Sequence, residues 1–237
     1  MKNKQVEILN WGLINYKTAW DKQTQLFQSV IDQKVANRQA ETKTLTKNYL
    51  IFCEHQPVYT IGKSGKIEHL LVQQNSLQAQ NIQFFRNNRG GDITFHGPGQ
   101  LMVYPILDLD NFFTDIHKFL RFLEECVIQT IAEYKVHGGR IEGATGVWID
   151  PQKTTARKIC AMGIRASRWV TMHGIALNIQ TNLNYFKQII PCGITDKAVT
   201  SLQQETGSSI NLAEVQQKFI KHFGNIFEAE TSKKEVS

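Results

Sequence analysis

Two residues of this sequence could together perform nucleophilic chemistry: Lys158, in the run A-R-K-I-C-A-M-G (156–163), and Cys192, in the run I-P-C-G-I-T-D (190–196). A thiol reacts as its thiolate, which forms near neutral pH when a cation lies nearby. A lysine in an apolar strand can supply that cation, and the proline and glycine that flank the cysteine place it at an accessible corner. The pair predicts acyl transfer through a thioester.

The other three cysteines are typical of buried apolar positions. Cys53 lies in Y-L-I-F-C-E, Cys126 in a helix-like segment, and Cys160 in the same strand-like run as Lys158. All four cysteines are far apart, without a C-x-x-C pair or a His/Cys cluster at zinc-ligand spacing. We therefore expect no disulfide framework and no metal, and Cys192 is the best candidate for a nucleophile.

Alternation along the run 157–165 places Lys158 on one face with Cys160, Met162 and Ile164. A lysine whose neighbours on its face are all apolar either reaches water from a strand end or lies in a desolvated pocket. Desolvation would lower its pKa and suit it to proton transfer. The sequence leaves both alternatives open.

A glycine-rich segment, R-G-G-D-I-T-F-H-G-P-G-Q (89–100), is a candidate binding site. Glycines permit close backbone approach and positive φ, so the segment could surround a ligand with N–H groups while Arg89 or His96 adds a polar contact. Alternation predicts a polar face with Asp92, Thr94 and His96, and a core-directed face with the intervening isoleucine and phenylalanine. An ordinary glycine-rich hairpin is the alternative, since the segment has neither a Walker A pattern nor a dinucleotide fingerprint.

The run H-G-I-A-L-N (173–178) places a histidine beside a glycine in a strand-like stretch. A hydrogen-bonded core histidine is one interpretation of His173. Gly174 and Ala176 lie on one face of the strand, and their small side chains would leave room for a ligand. The second interpretation is therefore a binding wall.

Composition fits one globular domain, 1–237, with a polar tail that frays from residue 230 onward. The chain is 41% hydrophobic and has neither an apolar run of about 18 residues nor a signal-like N-terminus, so we expect a soluble, cytoplasmic protein without a membrane partner. Its formal net charge is +6, but the Lys and Arg residues are scattered. We expect no nucleic-acid partner, and an acidic protein partner accounts for the charge equally well.

The apolar patterns predict the α/β (α+β) class, a mixed sheet with helices packed on it. Strands are predicted at 6–11, 49–54, 58–61, 83–86, 92–96, 101–107, 146–149, 157–165 and 171–179. Helices are predicted at 16–38, at 116–134 with a glycine stop at Gly138 and Gly139, and at 211–227 with a cap at Asn211. Short connections favour antiparallel pairing of the last three strands.

In this order, the segments resemble the motifs of the lipoyl(octanoyl)transferase family, the acyltransferases of lipoate biosynthesis. The matching runs are E-H-Q-P-V-Y-T-I-G (54–62), R-G-G-D-I-T-F-H-G-P-G-Q (89–100), G-V-W-I (146–149), R-K-I-C-A-M-G-I-R (157–165), H-G-I-A-L-N (173–178) and P-C-G-I-T (191–195). The resemblance covers most of residues 50–202. It implies a fold shared with the catalytic domains of lipoate and biotin protein ligases.

The resemblance also implies an activity. The enzyme would move an octanoyl group from octanoyl-acyl carrier protein to a lysine of lipoyl domains, in 2-oxoacid dehydrogenase E2 subunits and the glycine cleavage H protein. Cys192 and Lys158 would form the catalytic dyad, and no cofactor or metal would be needed because the incoming thioester is already activated. The residues that would bind the substrate are Arg89, Gly90, Gly91, Asp92, Ile93, Thr94, Phe95, His96, Ala161, Met162, Gly163, His173, Gly174, Ile175 and Ala176.

Two alternatives share the expected fold. An ATP-dependent lipoate or biotin protein ligase would keep a lysine at position 158 but would need no nucleophilic cysteine. A non-catalytic acyl-carrier-binding module could keep the glycine-rich pocket and lose the dyad, yet both dyad residues are present here. The connection 150–156 departs from the family in being longer than its usual tight hairpin, which affects local loop shape and not the matched motifs.

Overall fold

The fold is built from twelve strands and five α-helices in the part of the chain that the computed structural model describes, residues 2–190 and 198–233. In chain order these elements are β1 (Gln5–Ile14), α1 (Tyr16–Ala36), β2 (Tyr49–His55), β3 (Val58–Ile61), α2 (Gln74–Ala79), β4 (Gln83–Arg86), β5 (Ile93–His96), β6 (Gln100–Ile106), α3 (Ile116–Ala132), β7 (Gly138–Ile141), β8 (Ala144–Ile149), β9 (Arg157–Ser167), β10 (Val170–Asn178), β11 (Ala198–Val199), α4 (Leu202–Thr206), α5 (Leu212–Phe227) and β12 (Glu230–Lys233). Short 3-10 turns occupy Ile67–His69, Leu109–Asn111 and Leu183–Gln188.

Most strands of the described residues join one large mixed sheet, in the order β12-β1-β2-β6-β10-β9-β8-β7 with β11 beside β9. Strand β1 runs parallel to both of its neighbours and β11 runs parallel to β9, whereas the other pairs are antiparallel. A small second sheet has the order β4-β3-β5. The predicted α+β class and the antiparallel β8-β9-β10 arrangement are confirmed.

Helices cover both faces of the large sheet. Apolar side chains of α3 and α5 pack with one face, and those of α1 pack with the other. Each long helix begins at a side chain that accepts hydrogen bonds from its first free N–H groups: Asn15 for α1, Asp115 for α3 and Asn211 for α5. The predicted cap at Asn211 is confirmed, and it accepts from the backbone N–H groups of Ala213 and Glu214.

The predicted glycine stop of α3 is wrong. Helix α3 ends at Ala132, and Gly138 and Gly139 begin strand β7. A Cβ at Gly138 would lie 2.7 Å from Ile131 and 2.8 Å from Val147, so this glycine allows a strand to pass close beneath the helix.

No helix of the described residues is long and apolar enough to cross a bilayer.

The C-terminal tail was predicted to fray from residue 230 onward, and this prediction is wrong for residues 230–233. These residues form β12, which pairs in parallel with β1 from Gln5↔Glu230 to Ile8↔Lys233. Glu228 ends α5 in the left-handed region with φ 50°, and the N–H of Ala229 donates to the carbonyl of Gly224, which turns the chain toward the sheet. Backbone pairing does not depend on apolar side chains, so composition alone did not indicate this strand. Residues 234–237 lie outside the described part.

Phe223 provides a test of the packing between α5 and the sheet. Its side chain is fully buried and stacks on Phe227 with ring centroids 4.4 Å apart. We expect Phe223→Ala to lower the free energy of unfolding by about 3–5 kcal/mol, because it opens a cavity and removes buried apolar surface. Urea denaturation followed by circular dichroism measures this loss.

Lys221→Ala on the same helix is the matched control, because its side chain is exposed. It should change the free energy of unfolding by less than about 0.5 kcal/mol. Equal stability of the Phe223→Ala variant and the parent protein would contradict the described packing.

Candidate active site

A cavity of about 600 Å³ lies between the small sheet and strands β9 and β10 of the large sheet. Lys158 and every predicted binding residue except Phe95 line it. Sequence segments separated by up to about 90 residues thus meet around one space. Separate sequence motifs predict these residues, and the structure places them together.

Phe95 is the predicted binding residue that lies elsewhere. It is buried in the apolar cluster of the small sheet, stacks on Tyr185 with ring centroids 4.4 Å apart and contacts Phe186. Alternation along β5 turns its ring away from the cavity toward this core, while Thr94 and His96 line the cavity. Phe95 therefore lies outside the cavity lining, unlike the other predicted binding residues.

The guanidinium of Arg89 holds the glycine-rich segment in shape. Its side chain is buried and donates hydrogen bonds to the carbonyls of Thr60 (2.8 Å), Asp92 (2.8 Å) and Gly90 (2.9 Å), and to Thr60 Oγ1 (2.9 Å). The N–H of Gly90 donates to the carbonyl of Ile164 at 2.8 Å, which joins the segment to β9. Arg89 therefore lines the cavity and also fixes its backbone, where the sequence analysis predicted a ligand contact alone.

Lys158 is half-buried in the cavity wall. Its Nζ donates to the carbonyl of Thr145 at 3.3 Å and lies 4.5 Å from the centroid of the Trp148 ring. The side chain crosses Gly146, where an added Cβ would lie 3.5 Å from Lys158 Cε. The sequence left two alternatives for Lys158, a side chain that reaches water and a side chain in a desolvated pocket. The structure matches neither fully, because the ammonium is half-buried and lies against the aromatic face of Trp148.

Strict alternation along β9 is wrong near Lys158. The pairing of β8 and β9 shifts register, so that Val147 faces Cys160 while Trp148 faces Lys158. As a result the adjacent residues Ile159 and Cys160 both pack in the core between the large sheet and helices α3 and α5. This irregularity places the Trp148 ring beside the lysine.

Two neutral histidines are buried near the cavity. Burial, together with the charges of Arg89 and Arg165, lowers the pKa of His173 to about 3, and burial lowers that of His55 to about 4. His173 has φ 60°, an uncommon conformation within a strand, and its Nε2 lies 3.0 Å from Asn88 Oδ1. It has hydrogen-bonding partners, as one interpretation predicted, and it also lines the cavity, as the other predicted.

Several cavity residues were not predicted. Tyr16, Gln100, Tyr104 and Asn178 add polar groups to the cavity, and His69 contributes an imidazole. Gln100 lies in a matched motif, so the sequence offered a signal for it. His69 lies in a polar segment without apolar periodicity, and nothing in its surroundings indicated a site.

Cys192 lies outside the described residues. On the side before it, Ile189 forms a bridge with Leu70, and the N–H of Ile190 donates to the carbonyl of His69 at 2.8 Å. On the side after it, Val199 pairs with Lys158 and lines the cavity. Within the described part of the chain, no group of three or more His, Cys, Asp or Glu side chains is arranged to hold a metal ion.

The chain matches known proteins over nearly its whole length. Residues 15–224 match the family model of the lipoyl protein ligase A/B catalytic domain. The chain belongs to this family. Within the family, it is 58% identical over 229 residues to a protein named octanoyltransferase from Christiangramia forsetii, a match that covers 96% of this chain and 98% of the relative. The predicted family and acyltransferase class are confirmed.

Structures of lipoyl and biotin protein ligases share this fold. The archaeal lipoylation system from Thermoplasma acidophilum, a bi-partite lipoate protein ligase and its E2 lipoyl domain, gives a TM-score of 0.70 at 15% identity, covering 100% of this chain and 88% of that chain. Biotin protein ligase from Aquifex aeolicus in complex with biotin and ATP gives 0.51 at 15% identity, covering 95% and 71%. The predicted fold relationship is confirmed.

The buried histidines predict a pH response. An exposed histidine takes up a proton near pH 6.5, whereas the lowered pKa values of His173 and His55 keep both imidazoles neutral in the folded state down to about pH 5. The unfolded chain binds these protons first, so the two residues destabilise the fold as the pH falls below about 6.5. We expect their C2 proton resonances in NMR spectra to stay constant between pH 8 and pH 5.

His173→Asn and His55→Asn assign the two resonances, and asparagine tolerates the left-handed conformation at position 173. A titration midpoint above pH 6 for either histidine would contradict the described burial.

Proposed function

We propose that this protein transfers an octanoyl group from octanoyl-acyl carrier protein to a lysine of lipoyl domains, through a thioester on Cys192 with Lys158 as its partner. The observation that carries the proposal is the meeting of the family's motifs around one cavity that contains Lys158. The octanoyltransferase relative at 58% identity supports the same acyl group. Lipoyl domains of 2-oxoacid dehydrogenase E2 subunits and the glycine cleavage H protein are the proposed acceptors.

The cavity suits a medium-length acyl chain. Its volume of about 600 Å³ lies within the usual range of about 300–1,000 Å³ for small-ligand pockets. Apolar side chains from several strands line it: Ile93, Met102, Met162, Ile164 and Ile175. Burying methylene groups against such side chains contributes about 0.8 kcal/mol each. The predicted substrate contacts other than Phe95 are retained in this proposal.

Cys192 is proposed as the nucleophile partly because the other three cysteines are unsuitable. Cys53, Cys126 and Cys160 are buried free thiols, and burial raises the pKa of each thiol well above its usual value. A thiol held in this way does not ionise near neutral pH. Cys160 is two residues from Lys158, yet it packs in the core and does not line the cavity.

In the first step the ammonium of Lys158 stabilises the Cys192 thiolate, which attacks the carbonyl carbon of the carrier thioester. The new C–S bond forms, the carrier's C–S bond breaks, and the carrier leaves as a thiol after taking a proton from Lys158. Backbone N–H groups of the glycine-rich turns would stabilise the oxyanion. In the second step the neutral acceptor amine attacks the acyl-enzyme carbonyl, its C–N bond forms and the thioester C–S bond breaks. Lys158, neutral after the first step, takes the proton of the amine, which restores the ammonium beside the Cys192 thiolate.

Charge and compartment fit this scheme. The formal net charge of +6 speeds the encounter with acidic carrier and lipoyl domains through electrostatic steering. Free cysteines persist in reducing compartments, so we place the reaction in the cytoplasm. The proposed reaction requires no cofactor, because the incoming thioester is already activated for acyl transfer.

The acyl-enzyme can be observed directly. When the protein is mixed with octanoyl-acyl carrier protein and its intact mass is measured, we expect a mass increase of one octanoyl group. Cys192→Ser should abolish this adduct, because a serine hydroxyl is a far weaker nucleophile without a base that removes its proton. Cys53→Ser, at a buried position outside the cavity, is the control and should keep the adduct. An undiminished adduct on Cys192→Ser, or modification that requires ATP and free octanoate, would refute the mechanism.

Lys158→Ala tests the partner of the cysteine. Loss of the cation raises the pKa of the thiol, so we expect acylation from octanoyl-acyl carrier protein to slow by about 100-fold near neutral pH, with a larger loss at lower pH. Lys153→Ala removes an exposed lysine from the preceding loop and should leave the pH–rate profile unchanged. A Lys158→Ala profile that coincides with the parent profile would remove the lysine from its proposed role.

A further inference from the structure

Glu124 is a fully buried carboxylate to which the reaction scheme above gives no role. It lies on α3, its side chain is 0% exposed, and both of its oxygens accept hydrogen bonds. Oε1 accepts from Arg121 Nη2 and from the backbone N–H of Gly146, each at 2.9 Å, and Oε2 accepts from Arg140 Nε at 2.9 Å. A buried charge destabilises a fold unless such donors compensate it. The position of this carboxylate is therefore fixed by its three donors.

One of these donors belongs to the peptide group beside Lys158. The group that joins Thr145 to Gly146 contains the carbonyl of the first residue and the N–H of the second, and in a planar trans peptide these point in opposite directions. The N–H is bonded to Glu124, while the carbonyl accepts from Lys158 Nζ at 3.3 Å. The carboxylate and the lysine thus lie at opposite ends of one peptide group.

Gly146 allows the peptide group to take this orientation. Its φ is 124°, in the region that residues with a side chain rarely adopt, and a Cβ here would lie 2.5 Å from the carbonyl oxygen of Cys160. Glycine has more backbone freedom than any other residue, so the local sequence does not fix this orientation. The hydrogen bond to Glu124 supplies the restraint.

The same carboxylate joins the β7–β8 hairpin to α3. Arg140 of β7 donates from Nη2 to the carbonyl of Arg121 at 2.9 Å and to Glu125 Oε2 at 2.8 Å, in addition to its bond with Glu124. Both strands of the hairpin are therefore bonded to one helix. Residues 143–145 of the hairpin line the cavity, so α3 holds this part of the cavity wall in place.

Two contacts of the lysine ammonium come from this hairpin. Lys158 Nζ donates to the carbonyl of Thr145 and lies 4.5 Å from the centroid of the Trp148 ring. The indole N–H of Trp148 donates to the carbonyl of Ala144 at 3.0 Å, which joins the ring to the same turn. A shift of the hairpin would therefore displace the carbonyl and the ring together, and the ammonium with them.

The proposed reaction needs the lysine nitrogen in one place during both of its steps. In the first step the ammonium of Lys158 gives a proton to the departing carrier, and in the second step its neutral amine takes a proton from the acceptor. A carbonyl oxygen accepts an N–H from either form, so Thr145 can hold the nitrogen while its charge changes. Proton transfer requires heavy atoms within about 2.6–3.2 Å of each other, so a displaced nitrogen would slow both steps.

We propose that Glu124 is a positioning residue that holds Lys158 through the peptide group of Thr145 and Gly146, an inference that rests on the proposed octanoyl transfer. The carboxylate fixes the N–H of Gly146, this N–H fixes the direction of the Thr145 carbonyl, and the carbonyl holds the lysine nitrogen. Glu124 does not line the cavity, so it does not touch the substrate. Its loss should therefore slow the chemical steps without weakening the binding of octanoyl-acyl carrier protein.

Two substitutions of similar size test the hydrogen bond to Gly146. Glu124→Gln keeps a side-chain oxygen that accepts this N–H, whereas Glu124→Met has none. A single turnover of acylation is followed at increasing concentrations of octanoyl-acyl carrier protein. We expect Glu124→Met to lower the limiting rate by about 10- to 100-fold, because small displacements of reacting groups have effects of this size, and to leave the half-saturating concentration unchanged. Glu124→Gln should recover most of the lost rate, and equal losses in the two variants would overturn the role of Glu124.

A double-substitution cycle with Lys158→Ala separates positioning from a general effect on the fold. If Glu124 acts through the lysine, Glu124→Met causes no further loss in the Lys158→Ala background. The same factor of loss with and without the lysine would overturn the proposal.

Glu124→Asp repeats this cycle in case Glu124→Met does not fold. It keeps a carboxylate for Arg121 and Arg140 and withdraws the oxygen from Gly146 by the length of one methylene group. We expect it to lower the limiting rate only when Lys158 is present. A parent-like rate in Glu124→Asp, or an equal loss in both backgrounds, would again contradict the positioning role.

Glu125→Gln is the matched control. Glu125 is the next residue of α3 and also accepts from Arg140, but its side chain is 36% exposed and its other hydrogen bond comes from Gln129. This variant should keep the parent rate, because the contact between Glu124 and Gly146 is intact. Absence of an octanoyl adduct on the parent protein would overturn the proposed function itself, whereas losses that are independent of Lys158 would overturn the role of Glu124 alone.

Discussion

The buried guanidinium of Arg89 determines the shape of the cavity. It binds the carbonyls of Thr60, Gly90 and Asp92, and so connects strand β3 of the small sheet with the glycine-rich segment. Burial is the main cause of the lowered pKa values of His96 and His173, and the positive charge of Arg89 lowers both further. A single cation thus shapes the binding wall and, together with burial, favours the neutral form of His96 and His173.

Close backbone contacts around the cavity depend on residues without side chains. A Cβ at Gly163 would lie 2.6 Å from the carbonyl oxygen of Gly90, and a Cβ at Gly174 would lie 2.2 Å from that of Val103. Alanine at either position would force the glycine-rich segment or β6 to move. The same contacts place Met162 and Ile175 along the cavity, so the glycines determine its width as well as its position.

Local patterns predicted the long elements and the motifs, but not the contacts between distant segments. Apolar runs located β2 and β10, whose residues are almost all buried, and helical periodicity located α1 and α5, each of which buries one apolar face. The bulge beside Lys158 and the strand β12 could not be predicted, since backbone pairing with distant strands creates both. The position of His69 in the cavity wall was missed for a related reason: it contacts Asp92, 23 residues away, and no local pattern records that contact.

The pairing of β1 with β12 has a consequence for the synthesis of the chain. Gln5 pairs with Glu230, a sequence separation of 225 residues (230 − 5). On the ribosome, β1 is therefore complete long before its outer neighbour exists, and one of its edges stays unpaired through most of translation. Exposed strand edges are sites of mispairing between chains. Until residues 230–233 leave the ribosome, this edge of β1 is therefore open to mispairing with other chains.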